Sequence, residues 1–187
     1  MRVVTQHKSE EPVLLDKVID EIIDNQKAKL TWINNAFRLA YTLEHEVQGK
    51  KFRYPAVYTE RNNYCSVLPD DSLGNFSFIE KKDPETVIQR AGFYDISVDV
   101  DIIFWFNLSS IYETHKVVML ENVKDDVLKL FNSKSLFKSS SIIVNKVYVN
   151  AENIFDGYDL KQVENQFLMM PYTGIKLSCT IKYTSPC

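Results

Sequence analysis

Three aspartates in one short stretch, "YDISVDVDIIFWFNLSS" (Tyr94–Ser110), are the residues of this chain best spaced for chemistry. Read as a β-strand, strict alternation puts Asp95, Asp99 and Asp101 on one face with Ser97, Ile103 and Trp105. Tyr94, Ile96, Val98, Val100, Ile102, Phe104 and Phe106 fall on the other. Asp is depleted in strands, and Asp99 and Asp101 would have Cα atoms roughly 6.6 Å apart. Two carboxylates so placed can converge on Mg²⁺ or Ca²⁺. Unpaired in water at about 7 Å, they repel by only about 0.6 kcal/mol, which a wet face tolerates and a dry core does not. Three readings therefore stand side by side. The aspartates hold a metal, or they coat a solvated face, or they line an assembly surface or pore that must not retain a polyanion.

No other motif supplies a complete catalytic set. His7, His45 and His115 are scattered, without the spacing of a zinc site. Ser109–Ser110 and Ser139–Ser141 lack a G-x-S-x-G elbow, and Cys65 has no defined basic neighbour. "LPDDSLGN" (Leu68–Asn75), with Asp70 and Asp71, has turn character but not the ligand spacing of an EF-hand. Only five Gly occur in 187 residues, so phosphate-cradling loops are short of material. No cofactor is implied.

With no enzyme signature a non-enzymatic protein is expected, and composition agrees with a globular chain of one domain. Hydrophobic content of 45% and charged content of 25% are ordinary. A formal charge of −3 gives no basic footprint for nucleic acid. Cys65, Cys179 and Cys187 are odd in number and far apart, so a reducing compartment is expected. The first residues contain no apolar targeting stretch, and the longest apolar run is Ile102–Phe106. A soluble, intracellular protein with no membrane partner is expected.

Periodicity supplies the elements that must position the aspartates. Leu15, Val18, Ile19, Ile22 and Ile23 recur at helical spacing opposite Asp16, Lys17, Asp20, Glu21 and Asp24. Phe37, Leu39, Tyr41 and Leu43 alternate; "VQGKK" is a turn; Phe52, Tyr54, Ala56 and Tyr58 resume the alternation, which reads as a hairpin, the alternative being a first helix that continues through Leu43. Pro55 places its second strand at an edge or bulge. The mixture of Pro, Asp, Gly and Asn between Asn62 and Gly92 reads as a long loop excursion. The Asp strand comes next; at about 50 Å it is long enough for its polar half to project from the domain while "IIFWF" stays in the core.

A second amphipathic helix carries Val117, Leu120, Val123, Val127 and Phe131, and "SIIVNKVYVN" is a strand. A short helix capped by Asp159 ends before Pro171. The last strand turns Ile175, Leu177, Cys179, Ile181 and Tyr183 inward and Lys176, Ser178, Thr180 and Lys182 outward. The fold class is α+β: a mostly antiparallel sheet with helices packed on one face and a long projecting strand or hairpin. Residues 1–11 read as a flexible N-terminal arm, and residues 12–187 as a single domain.

The order of these elements, with "YPAVY" (Tyr54–Tyr58), the Asp-studded strand, "VNKVYV" (Val144–Val149) and "PYTGIKLSCTIKY" (Pro171–Tyr183), resembles the tail-terminator and neck (head–tail connector) proteins of tailed bacteriophages. The resemblance spans roughly residues 12–184 and includes no catalytic residue. It implies a structural virion protein assembled in the bacterial host cytoplasm as a six- or twelve-fold homo-oligomeric ring. Portal or adaptor proteins lie on one side and tail proteins on the other, and DNA passes through the lumen without sequence-specific binding. The segment Asn62–Gly92 and the arm 1–11 exceed what the resemblance requires. Asp95, Asp99, Asp101, Asp70, Asp71, Phe76 and Phe78 are then the interface or lumen candidates. Two other classes compete: a metal-dependent phosphodiesterase or nuclease using Asp95, Asp99 and Asp101, and a cytosolic protein-binding module with an exposed sheet edge.

Overall fold

A computed structural model of the chain describes residues 4–6, 8–59, 63–112, 119–131 and 140–186. Helix α1 (Leu15–Lys29) buries the stripe Leu15, Val18, Ile19, Ile22 and Ile23. Strands β1 (Asn35–Val47) and β2 (Lys50–Thr59) follow as an antiparallel hairpin. Its turn places Gln48 and Gly49 at positive φ, as a two-residue I′ connection requires. Next come β3 (Asn63–Ser66), a 3₁₀ turn (Asp71–Leu73), β4 (Phe76–Lys81), β5 (Thr86–Arg90) and β6 (Phe93–Asn107). The chain continues through α2 (Leu108–Ile111), α3 (Met119–Lys129), β7 (Ser140–Tyr148) and α4 (Ala151–Ile154). Two further 3₁₀ turns lead to β8 (Tyr172–Pro186).

The strands form one sheet in the order β3-β2-β1-β4-β6-β8-β7, with β5 also on β6. Among the described strands only β1 and β4 run parallel, so the α+β reading with a mostly antiparallel sheet holds. Strand β6 is the spine. It pairs with β8 along all fifteen residues, and with β5 and then β4 on its other edge. At Gly174 the β8 backbone runs so close to Phe104 and Trp105 that a Cβ would lie 2.5 Å from both.

Alternation along β6 and β8 divides the hydrophobic residues between two cores. Ile96, Val98, Val100, Ile102, Phe104 and Phe106 pack with Ile175, Leu177, Cys179 and Ile181 against α1 and against Val123 and Val127 of α3. The opposite face buries Ile103 and Trp105 with Phe76 and Phe78 of β4, Phe37 of β1 and Phe155 after α4. Buried Asn75 ties the sheet ends together. Its backbone carbonyl accepts from the Asn34 and Asn35 N–H groups, and its side chain accepts from the Asn107 N–H.

Several expectations need correction. Residues 63–90 are not a loop excursion, because they contain three strands, and β4 is buried from Phe76 to Glu80. A short strand covered on both faces has no period-two signature, so turn residues around it dominate the reading. The polar half of β6 does not leave the sheet, being flanked by β5 and β8 with Ile96, Val98 and Val100 in the main core. The ribbon that runs past its neighbours is the β1–β2 hairpin, since β1 pairs with β4 only up to Leu39. Pro55 sits where the β3 ladder stops. Residues 4–6 of the expected arm lie on the sheet: Gln6 bridges Thr59 and its side chain accepts from the Arg38 N–H at 2.5 Å. In place of a helix before Pro171 stand two single 3₁₀ turns, Leu160–Gln162 and Asn165–Leu168. Val117 and residues 1–3 and 60–62 lie outside the described residues.

Candidate functional site

The register of three strands lines up a polar row on the second face. Glu80 of β4 stands opposite Asp101 of β6, which stands opposite Ser178 of β8. Two acids directly opposed on one face destabilise a sheet unless cations offset them. Lys82 does so, with Nζ 3.0 Å from Glu80 Oε2 and 3.1 Å from Asp101 Oδ2. Lys176 adds a second cation 3.9 Å from the same Asp101 oxygen and sits 4.9 Å over the Tyr148 ring. Ser178 Oγ donates to Asp101 Oδ1 at 2.5 Å. Burial pulls the Lys82 pKa down, but the Glu80 and Asp101 carboxylates outweigh it and hold the ammonium above its usual range. The cluster is two acids and two bases, buried apart from Lys82 and balanced in charge.

The three aspartates do not converge. Asp95 pairs with Arg90 Nε at 3.1 Å across the β5–β6 hairpin, Asp99 accepts from Thr180 Oγ1 at 2.6 Å, and Asp101 belongs to the lysine cluster. Among the described residues, no group of three or more His, Cys, Asp or Glu is placed to hold a metal. Asp70 caps the 3₁₀ turn by accepting from the Ser72 N–H at 2.8 Å, and Asp71 accepts from the Tyr172 hydroxyl at 2.8 Å. Both therefore act within the fold. Phe76 and Phe78, expected at an interface or lumen, are fully buried in the second core. His45 stacks on Phe52 and shares a 3.0 Å hydrogen bond with Gln162; His7 and His115 lie outside the described residues, as do Ser139 and Cys187.

Beside the charge row lies a cleft of about 420 Å³ between the β1–β2 ribbon, the end of β4 and the turn at Asp156–Tyr158. The ribbon is fastened there: Asp159 accepts from the Arg53 N–H at 2.9 Å rather than capping a helix, and Tyr158 Oη lies 3.3 Å from Thr42 Oγ1. Burial first, and the Glu80 carboxylate after it, hold the Tyr158 phenol far above its ordinary value. Lys82, Lys176, Glu80 and Tyr158 escaped the sequence reading. Alternation turns Lys176 away from the helical core, and that side of the sheet carries a second core. The "IEKK" segment that supplies Glu80 and Lys82 carries no strand periodicity.

Cys179 is buried under α1 and α3, and desolvation, then Asp101, pushes its thiol up to about 12 from 9.0. Between those values the folded chain keeps a proton that the unfolded chain loses. Stability therefore falls as pH rises through that window. Lys82 and Tyr158, also raised, carry the same sign. The expected result is a denaturation midpoint that drops steadily from pH 8.5 to 10.5, with a shallower drop in Cys179→Ala. A midpoint flat over that range would refute the assignment.

Among the described residues no helix is long and apolar enough to cross a membrane. Comparison with protein families and with curated proteins finds no match for this chain.

Proposed function

We propose that the chain is a structural subunit of a ring in the neck of a tailed bacteriophage, placed between head and tail as tail-terminator and head–tail connector proteins are. The observation that carries this reading is the open end of the sheet. Every residue of β5 is exposed, and Val87 and Ile88 stand in solvent beside Phe93. Among the described residues, strand β5 pairs with β6 alone, and β7, with Ile143 exposed, pairs with β8 alone. An exposed apolar edge is a template for another chain, and a head-to-tail contact between such patches closes a ring when the rotation allows. The aspartates fit the same role. Asp99 is exposed and Asp95 half exposed, but Arg90 pairs with Asp95 and Lys182 is exposed opposite Ser97, so the acidic character of that face rests on Asp99.

The test is assembly. Purified protein, alone or with a portal or tail-tube partner, is expected to form six- or twelve-fold rings by negative-stain microscopy and native mass spectrometry. The double substitution Val87→Lys and Ile88→Lys should abolish rings while leaving the thermal midpoint nearly unchanged, because both side chains are exposed. A chain that stays monomeric and binds no virion protein would sink the proposal. The same edge also suits a monomeric module that captures an extended peptide; such a module would bind peptide without self-association.

A further inference from the structure

We propose that the chain accepts one extended segment of a partner protein as an added β-strand, in a slot between β1 and β5. The topology makes the slot. Strands β4 and β5 lie one after the other on the same edge of β6, β4 against residues 100–105 and β5 against residues 93–97. Both run antiparallel to β6, and β1 runs parallel to β4, so β1 and β5 head the same way. Beyond Leu39, however, β1 leaves β4 and pairs with β2 alone, as far as Val47. Among the described residues no strand stands between residues 40–47 and β5, and neither of these two edges has a backbone partner there. The cleft of about 420 Å³ lies where they part, lined by residues 39–42 of β1 and residues 80–83 at the end of β4.

A segment entering there is hydrogen-bonded on both sides, because each open edge is a template for a strand. It also steadies the ribbon, since two strands alone are marginal and a third gives them support. The side chains along the slot select the occupant. On the face that carries the helices, Tyr41 and Leu43 of β1 look across to Val87, so every second residue of the segment meets apolar neighbours. On the other face Thr42, Glu44 and Glu46 look across to Thr86 and Ile88. Glu44 and Glu46 are exposed; Glu44 shares Lys51 and Arg53 at 3.7 Å, and Glu46 forms no ion pair among the described residues. Strand β5 brings no free cation to them, as Arg90 is held by Asp95. The complement is an amphipathic strand, apolar toward the helices and polar with a basic residue on the other side. The five residues of β5 set its length at about 17 Å. This assignment rests on the open β5 edge that the ring reading uses, and adds the free edge of β1.

The experiment uses full-length protein diluted until native mass spectrometry finds it monomeric. To it is added a capped seven-residue peptide, valine alternating with threonine and with lysine at the central polar position, and backbone hydrogen exchange is followed by mass spectrometry. Residues 41–47 and β5 are expected to gain protection together. Two N-methylated forms of the peptide are decisive, because successive residues of a strand turn their N–H groups to opposite edges. Methyl groups on odd residues block one edge and on even residues the other. Each form should bind at least about tenfold more weakly, the scale of two lost hydrogen bonds. Glutamate in place of the peptide's lysine should weaken binding several-fold. Tyr41→Ser and Val87→Ser, both at exposed positions, should each weaken it up to about fivefold, the scale of one cross-strand pair. Protection confined to β5, or weakening by only one N-methylated form, would reduce the slot to a single edge and overturn the proposal. So would a dilute chain that ignores the peptide but protects both edges when concentrated, which gives the slot to a second copy. A chain that forms rings yet gains no protection from the peptide when dilute refutes the slot alone. Protection of both edges in a chain that never assembles supports the slot and refutes the ring.

Discussion

Asp101→Ala is expected to lower the unfolding free energy by about 3–5 kcal/mol, the range for breaking a buried ion pair by removing one partner. The physical reason is what the substitution strands. Lys82 retains Glu80 and enough exposure to reach water. Lys176, only 8% exposed, loses the one carboxylate within 4 Å of it among the described residues. Its remaining partner is the Tyr148 ring, which does not replace a buried counter-charge. Ser178 also loses its acceptor. The pair itself contributes little net stability, because two desolvations oppose one attraction. Asp101→Leu combined with Lys176→Met is therefore expected to recover most of the loss. Urea denaturation of Asp101→Ala and of the double variant decides the matter. A loss under about 1 kcal/mol in Asp101→Ala, or no recovery in the double variant, would show that the cluster does not act as a closed charge unit.

Phe78→Ala is expected to cost about 3–5 kcal/mol. Phe78 is wholly buried, with its ring 6.3 Å from Phe76 and 6.4 Å from Phe155, and it stands opposite Ile103 of β6. Truncation opens a cavity where β4, β6 and the α4 segment meet, and rigid strands on either side cannot collapse into it. The measurement separates two roles that the sequence leaves open. A core residue lowers the denaturation midpoint, whereas a surface residue of a ring leaves the midpoint alone and weakens assembly. Trp105 lies in the same core, 5.3 Å from Phe155, and its fluorescence reports the transition. A midpoint within experimental error of the parent chain would return Phe78 to the surface.

How much of this was legible depends on which residues carry the signal. Helix α1, the β1–β2 hairpin and the outer halves of β6 and β8 show as periodicities, because there buried positions alternate with more exposed ones. Strand β4 does not show, since "FSFIE" is buried on both faces and flanked by Pro, Gly and Asp. The charge row was equally hidden. Asp101 meets Ser178, 77 residues away in sequence, and Lys82 reaches it only because β4 runs beside β6.

The amino-acid order by itself determined the α+β class, the long Asp-bearing strand and its apolar face, because alternation and helical spacing are local consequences of backbone geometry. Only the tertiary structure decided what the other face of that strand meets. Strand pairing brought Glu80 and Ser178 to either side of Asp101 and built a second core around Ile103 and Trp105. Three aspartates spaced like a metal site were thereby given three separate partners. A side chain's partner is set by registers between segments far apart in sequence, and no local pattern contains that information.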